Sequence, residues 1–127
     1  MTFQPRGISA ITLFTEELAA SKEFYARAFA LPVDYEDDDS AVFRVGDTLI
    51  NLLRADAARE LVEPAAVGAA DGSARLQLTL GVDDVDAVCA TLASRGVELL
   101  NGPMDRPWGI RTAAFADPSG HIWEIAH

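Results

Sequence analysis

Cysteine is nearly missing from this chain. Cys89 stands alone, so no disulfide can close within it and no thiolate cluster can hold a metal. Histidine is scarce as well, with His121 and His127 both near the C-terminal end. Positive charge is in short supply: 10 Lys and Arg face 20 Asp and Glu, for a formal charge of −10. A field of that sign repels nucleic acid and anionic membrane, and it tolerates neutral or cationic ligands better than phosphorylated ones. No apolar run approaches the roughly 20 residues of a membrane-spanning helix. The opening MTFQPRGIS also lacks the basic-then-apolar order of a secretory signal. The expectation is a cytoplasmic protein with neither nucleic acid nor membrane as a partner.

What the chain does have is apolar material: 50% of its 127 residues are hydrophobic, enough to build a single domain (1–127) around a real core. The acidic residues are densest in DYEDDD (34–39), which reads as a solvated loop. The most informative feature is an internal repeat. Residues 11–33, ITLFTEELAASKEFYARAFALPV, lie without a gap on residues 78–100, LTLGVDDVDAVCATLASRGVELL. Thr12 meets Thr79, Leu13 meets Leu80 and Glu17 meets Asp84.

In each copy an alternating strand runs into an acidic helix start and then an apolar-periodic helix. Asp83 or Asp84 can cap the second helix, and Thr15 the first. Leu18, Ser21, Lys22 and Tyr25 keep helical spacing, as do Val85, Val88, Cys89 and Leu92. Leu31-Pro32 ends the first helix and Arg95-Gly96 the second. Three short strands come after each helix, at 33–36, 41–45 and 48–54, then at 97–100, 110–116 and 122–126. Asp117-Pro118-Ser119-Gly120 suits a type I turn between the last two. The chain therefore divides into a βαβββ module at 1–54, a connection at 55–74 with a short helix near 57–62, and a second βαβββ module at 75–127. The fold class is α+β: two tandem modules forming a curled mixed sheet, with a concave cup on one face and helices on the other. Cups of this kind bind small molecules.

The paired pattern, together with LFTEELAASKEFYARAF, GVDDVDAVCATLASRGVEL and PWGIRTAAFADPSGHIWEIAH, resembles the vicinal oxygen chelate superfamily. That superfamily includes glyoxalase I, extradiol dioxygenases, fosfomycin-modifying enzymes and bleomycin-resistance binding proteins. The resemblance covers nearly the whole chain. It implies up to four metal ligands on the cup floor, from the first and last strands of each module. The repeat locates those positions at Ala10, Asn51, Gln77 and Glu124. Alanine coordinates nothing, and divalent transition metals favour imidazole and carboxylate. His121 and His127 stand opposite Glu124 in strand parity. The expectation is no metal and no cofactor; if a metal does bind, its ligands are Gln77, Asn51 and Glu124.

Alternation sends Ile11, Leu13, Leu78, Leu80, Trp123 and Ile125 to the core, and Ala10, Thr12, Phe14, Asn51, Gln77, Thr79 and Glu124 to the cup. A few polar groups in an apolar cavity describe an organic-ligand site. The segment GPMDRPWG (102–109) adds Trp108, an aromatic ring able to stack on a planar or cationic ligand, with Met104, Arg106 and Arg111 as side contacts. In the bleomycin-resistance branch a similar segment lines the ligand groove. Phe24, Tyr25 and Phe29 read as core and Cys89 as inert packing.

No Ser/His/Asp or Cys/His constellation is visible. The reading is a homodimeric binding protein that takes up a small, aromatic, non-anionic molecule, a drug or secondary metabolite, as resistance proteins do. The alternative is a glyoxalase-like lyase or isomerase, or a dioxygenase-like enzyme. In that case Glu124 is a residual metal ligand, or a base if burial raises its pKa into a useful range.

Overall fold

The computed structural model describes residues 3–127. The first repeat becomes β1 (Ala10–Thr15), α1 (Leu18–Phe29), β2 (Tyr35–Glu36), β3 (Ser40–Val45) and β4 (Thr48–Arg54). After α2 (Ala55–Val62), the second becomes β5 (Leu76–Gly81), α3 (Val85–Ser94), β6 (Asn101–Asp105), β7 (Arg111–Ala116) and β8 (His121–Ala126). The α+β class and the tandem βαβββ modules are as the repeat predicts. The backbone hydrogen bonding falls into two four-stranded sheets, ordered β1-β4-β3-β2 and β5-β8-β7-β6. In each, a crossover through the helix makes the first strand parallel to the last, while the other pairs are antiparallel.

Local chemistry accounts for most boundaries. Asp84 accepts from Ala87 N at 3.1 Å and caps α3. The Asp117 turn closes with Gly120 N donating to Asp117 O at 3.2 Å. Thr15 does not cap α1: Glu17 holds the cap position without a side-chain bond, and Thr15 Oγ1 accepts from Glu17 N at 3.2 Å. The strand expected at 33–36 shrinks to Tyr35–Glu36 on a sheet edge. The strand expected at 97–100 starts later, at Asn101. Gly96 turns the chain at φ +76 and Val97 N is spent on the α3 carbonyl of Leu92, so Leu100 N is where bonding to β7 begins. Gly102 then lies so close to β7 that a Cβ there would sit 2.5 Å from Thr112 O.

Both modules feed one hydrophobic cluster. Leu13, Phe43, Ile50 and Leu52 of the first sheet join Ala113, Phe115, Trp123 and Ile125 of the second, with Phe24, Tyr25 and Ala28 of α1 and Val85, Cys89 and Leu92 of α3. Phe29 stands edge-on to Trp123 with ring centroids 4.9 Å apart. Burial at these positions contributes most of the stability, at roughly 25 cal/mol per Å² of apolar area.

Within the cluster runs a polar chain that crosses between modules. Trp123 Nε1 donates to Tyr25 Oη at 2.8 Å, and Tyr25 Oη donates to Asp117 Oδ2 at 2.5 Å. His121 Nδ1 lies 2.8 Å from the same Asp117 oxygen. An ionised carboxylate only accepts, which assigns the proton to that nitrogen. Asp117 Oδ1 accepts from Ser119 N and His121 N. Burial pushes the Asp117 carboxyl up, but the bonds from His121 and Tyr25 outweigh it and hold the group below the usual aspartate range. Burial first, and then the neighbouring Asp117 charge, push the Tyr25 hydroxyl far up. Thr15 Oγ1 extends the crossing, 2.6 Å from Ser21 Oγ and 3.1 Å from Ser119 Oγ.

This core makes two outcomes testable. Trp123 is 1% exposed, so Trp123→Ala should cost about 3–5 kcal/mol in urea unfolding, the scale for a core aromatic; a loss under 1 kcal/mol would contradict its place in the core. The lowered Asp117 pKa makes its contribution complete above the unfolded-state value and lost as pH falls through the lower folded value. Wild type should therefore lose stability on that acid limb, and Asp117→Asn should be less stable at neutral pH with a flatter limb. Equal slopes in the two proteins would rule out Asp117 as a source.

Candidate functional site

Strand alternation leaves one face of each sheet turned away from the shared core, and each such face carries a polar row. On the second sheet the register aligns Thr79, Glu124 and Ala114 across β5, β8 and β7. Thr79 Oγ1 donates to Glu124 Oε1 at 3.0 Å. On the first sheet the matching row is Thr12, Asn51 and Val42 across β1, β4 and β3. Asn51 Oδ1 is buried there without a hydrogen-bond partner among the described residues. Such an orphan costs about 1–3 kcal/mol. Phe14 lies on this face by alternation, half-buried, and α2 packs against β4 and β1.

Gln77 is exposed, two positions before Thr79 and paired in register with Ile122. Glu124 is half-buried rather than buried, and one of its oxygens is already occupied by Thr79. The burial on which a proton-transfer role would rest is therefore partial. His121 points into the core toward Asp117, and His127 Nδ1 accepts from Val85 N at 2.9 Å, at the start of α3. Neither imidazole reaches the polar rows.

The segment around Trp108 divides differently from its sequence reading. Met104 belongs to β6, paired with Thr112, and the loop begins only after Asp105. Trp108 is 68% exposed, and the Arg106 guanidinium lies 5.9 Å from the centre of its ring. Arg111 shares strand parity with Ala113 and Phe115, on the helix side. Asp86 holds it at 2.7 and 2.9 Å, and Asp105 at 3.0 Å. Those bonds, led by the one to Asp86, push the Arg111 pKa up. Arg111 is thus not brought together with Glu124. Thr79 and Glu124 are the pair of expected site residues in direct hydrogen-bond contact.

Residues 7–125 match the Glyoxalase/Bleomycin resistance protein/Dioxygenase superfamily. The chain belongs to that superfamily. It is similar to uncharacterized protein YraH of Bacillus subtilis (strain 168), 32% identical over 119 residues that cover 91% of this chain and 93% of that one. The structure resembles a glyoxalase/bleomycin resistance protein/dioxygenase from Nocardioides, with a TM-score of 0.87 at 25% identity over 98% of this chain and 85% of the other. It also resembles a lactoylglutathione lyase from Agrobacterium tumefaciens, with a TM-score of 0.77 over 97% of this chain and 94% of that one. Identity there is 20%, so that likeness concerns the fold alone.

Metal-using members of this superfamily need a complete donor set, and the four matched positions here do not make one. Ala10 offers a methyl group, Asn51 and Gln77 offer neutral amide oxygens, and Glu124 offers a carboxylate already engaged by Thr79. Among the described residues no cluster of three His, Cys, Asp or Glu side chains exists. Imidazole and carboxylate are what a divalent transition metal would require. The donor set does not fit one.

Sequence reasoning missed Thr112 and Asn101 on the Glu124 side of the second sheet. Arg106 Nε donates to Thr112 Oγ1 at 2.8 Å, and Arg106 Nη2 to Asn101 Oδ1 at 3.2 Å. Parity from Ala114, the register partner of Glu124, would have found Thr112; the late start of β6 concealed Asn101. For the metal, Ni²⁺, Zn²⁺, Mn²⁺ or Fe²⁺ at about 100 µM should move the melting temperature by less than roughly 1 °C, since stabilisation depends on concentration over dissociation constant. A stoichiometric metal that survives purification and disappears in Glu124→Ala would reverse this.

Proposed function

We propose that this chain binds a small, planar, donor-bearing organic molecule in its cup without a metal, as a drug- or metabolite-sequestering protein would. The observation that carries this reading is the orphaned Asn51 Oδ1 at the repeat position matched to Glu124. Two acceptors on pseudo-equivalent rows, one unsatisfied, suit a ligand presenting N–H or O–H groups. An acidic chain of net charge −10 favours a ligand that is neutral or cationic overall. Trp108 offers stacking area at an exposed rim.

The same reading includes a dimer. The polar rows lie on separate sheets, each on the face turned away from the core the two sheets share. A second copy that faces the Asn51 row of one protomer with the Glu124 row of its partner would enclose a cavity. It would also cover edge strands and exposed apolar side chains such as Ile8, Leu100 and Trp108.

A thermal-shift screen of aromatic antibiotics and related planar amines, followed by calorimetric titration, tests the reading. With a hit, Trp108→Ala should weaken binding by about 1–3 kcal/mol, the scale for a lost aromatic contact. Glu124→Gln should hurt cationic ligands more than neutral ones. Sedimentation at micromolar concentration should show a dimer. Full affinity in both variants, or binding by a strict monomer, would remove the shared cup.

A further inference from the structure

The surface of this chain is dominated by carboxylates, and its guanidinium groups generally face one. Arg111 is held by Asp86 and Asp105, and Arg75 by Glu16. Arg106, like Arg95, faces none among the described residues. Its two protein hydrogen bonds go to neutral acceptors, Thr112 Oγ1 and Asn101 Oδ1. It makes no ion pair among the described residues, and its Nη1 has no acceptor there. Thr112 is fully buried, so the anchor is rigid. The face of Trp108 lies alongside. A half-buried guanidinium fixed by neutral groups, with a nitrogen left over, is preorganised for a planar anion such as a carboxylate, which it can bind with two parallel bonds.

The place of Arg106 relative to Glu124 makes this useful. Thr112 pairs in register with Ala126, two residues beyond Glu124, which makes Thr112 and Glu124 diagonal neighbours on adjacent strands. Such neighbours stand about 7–8 Å apart. Thr79 draws the Glu124 carboxylate the other way, toward β5. Thr112 and Asn101 hold the guanidinium between β7 and β6. The opposite charges are thus kept out of contact by their own neutral partners, across a floor of small side chains at Ala114 and Ala126.

We propose that Arg106 and Glu124 together select a zwitterionic ligand. Its protonated amine would bind Glu124 and Thr79, its carboxylate would bind Arg106, and a planar spacer would lie between them beside Trp108. The proposal rests on the cup being the binding site, and it sharpens the ligand class from non-anionic to bipolar and net-neutral. Arg106 is then a specificity residue: it adds the anionic end to a ligand that Glu124 already holds by its cation.

Three probes built on the same para-substituted ring separate the contributions: para-(aminomethyl)benzoate, para-methylbenzylamine and para-methylbenzoate. Calorimetric titration of the full-length protein should show the zwitterion binding at least about tenfold tighter than either single-charge probe, the gain from one charge-assisted pair. Arg106→Gln should bring the zwitterion down to the affinity of the amine without weakening the amine, which also reports that the site is still folded. Arg106→Lys should keep part of the advantage. Glu124→Gln should weaken the amine and the zwitterion alike. If the amine binds in a Glu124-dependent way but the zwitterion-to-amine ratio is the same in wild type and Arg106→Gln, the Arg106 proposal is overturned and the cup reading stands. If none of the three probes binds at millimolar concentration, both are overturned.

Discussion

The hydroxyl of Tyr25 is where the two modules of this chain are joined. It accepts from the indole of Trp123 and donates to Asp117, so a residue of α1 satisfies two groups of the closing hairpin of the second module. In a site this dry, each of those groups would be costly without its partner. The arrangement works because the Asp117 carboxylate is itself saturated by His121 and two backbone N–H groups. Aromatic side chains from both sheets then pack around the chain, and the relative placement of the modules is fixed by polar geometry as well as by apolar burial.

That junction determines which surfaces are left over. The helix-bearing faces of both sheets are consumed by one core, and the opposite faces keep the polar rows of Asn51 and Glu124. Alternation along a strand makes these two facts inseparable: every residue sent inward at Leu13, Ile50 or Trp123 sends its neighbour to the other face. The proposed binding surface is the complement of the core.

The superfamily fold offers four positions where a metal can be held, and this chain keeps one carboxylate, two amides and a methyl group at them. A carboxylate hydrogen-bonded to a threonine and an unsatisfied amide oxygen are recognition groups for hydrogen-bond donors. The proposed metal-free binding role rests on these groups.

The repeat, the helix and strand periods, the Asp84 cap and the turn at Asp117 were legible in the sequence, because each depends on residues within a few positions of one another. The opposite-face placement of Glu124 and Trp123 was legible for the same reason, since a strand has a period of two. Tertiary structure alone decided the rest. Tyr25 and Asp117 are 92 residues apart, and no local pattern pairs them. The start of β6 depended on Val97 being drawn back to α3, which moved Met104 onto a strand and placed Asn101 beside Arg106. The orphaned oxygen of Asn51 and the guanidinium of Arg106, held without a carboxylate, are properties of what stands across from a side chain. A sequence specifies a residue's own chemistry and its near neighbours, whereas its distant partners are set when the chain closes on itself.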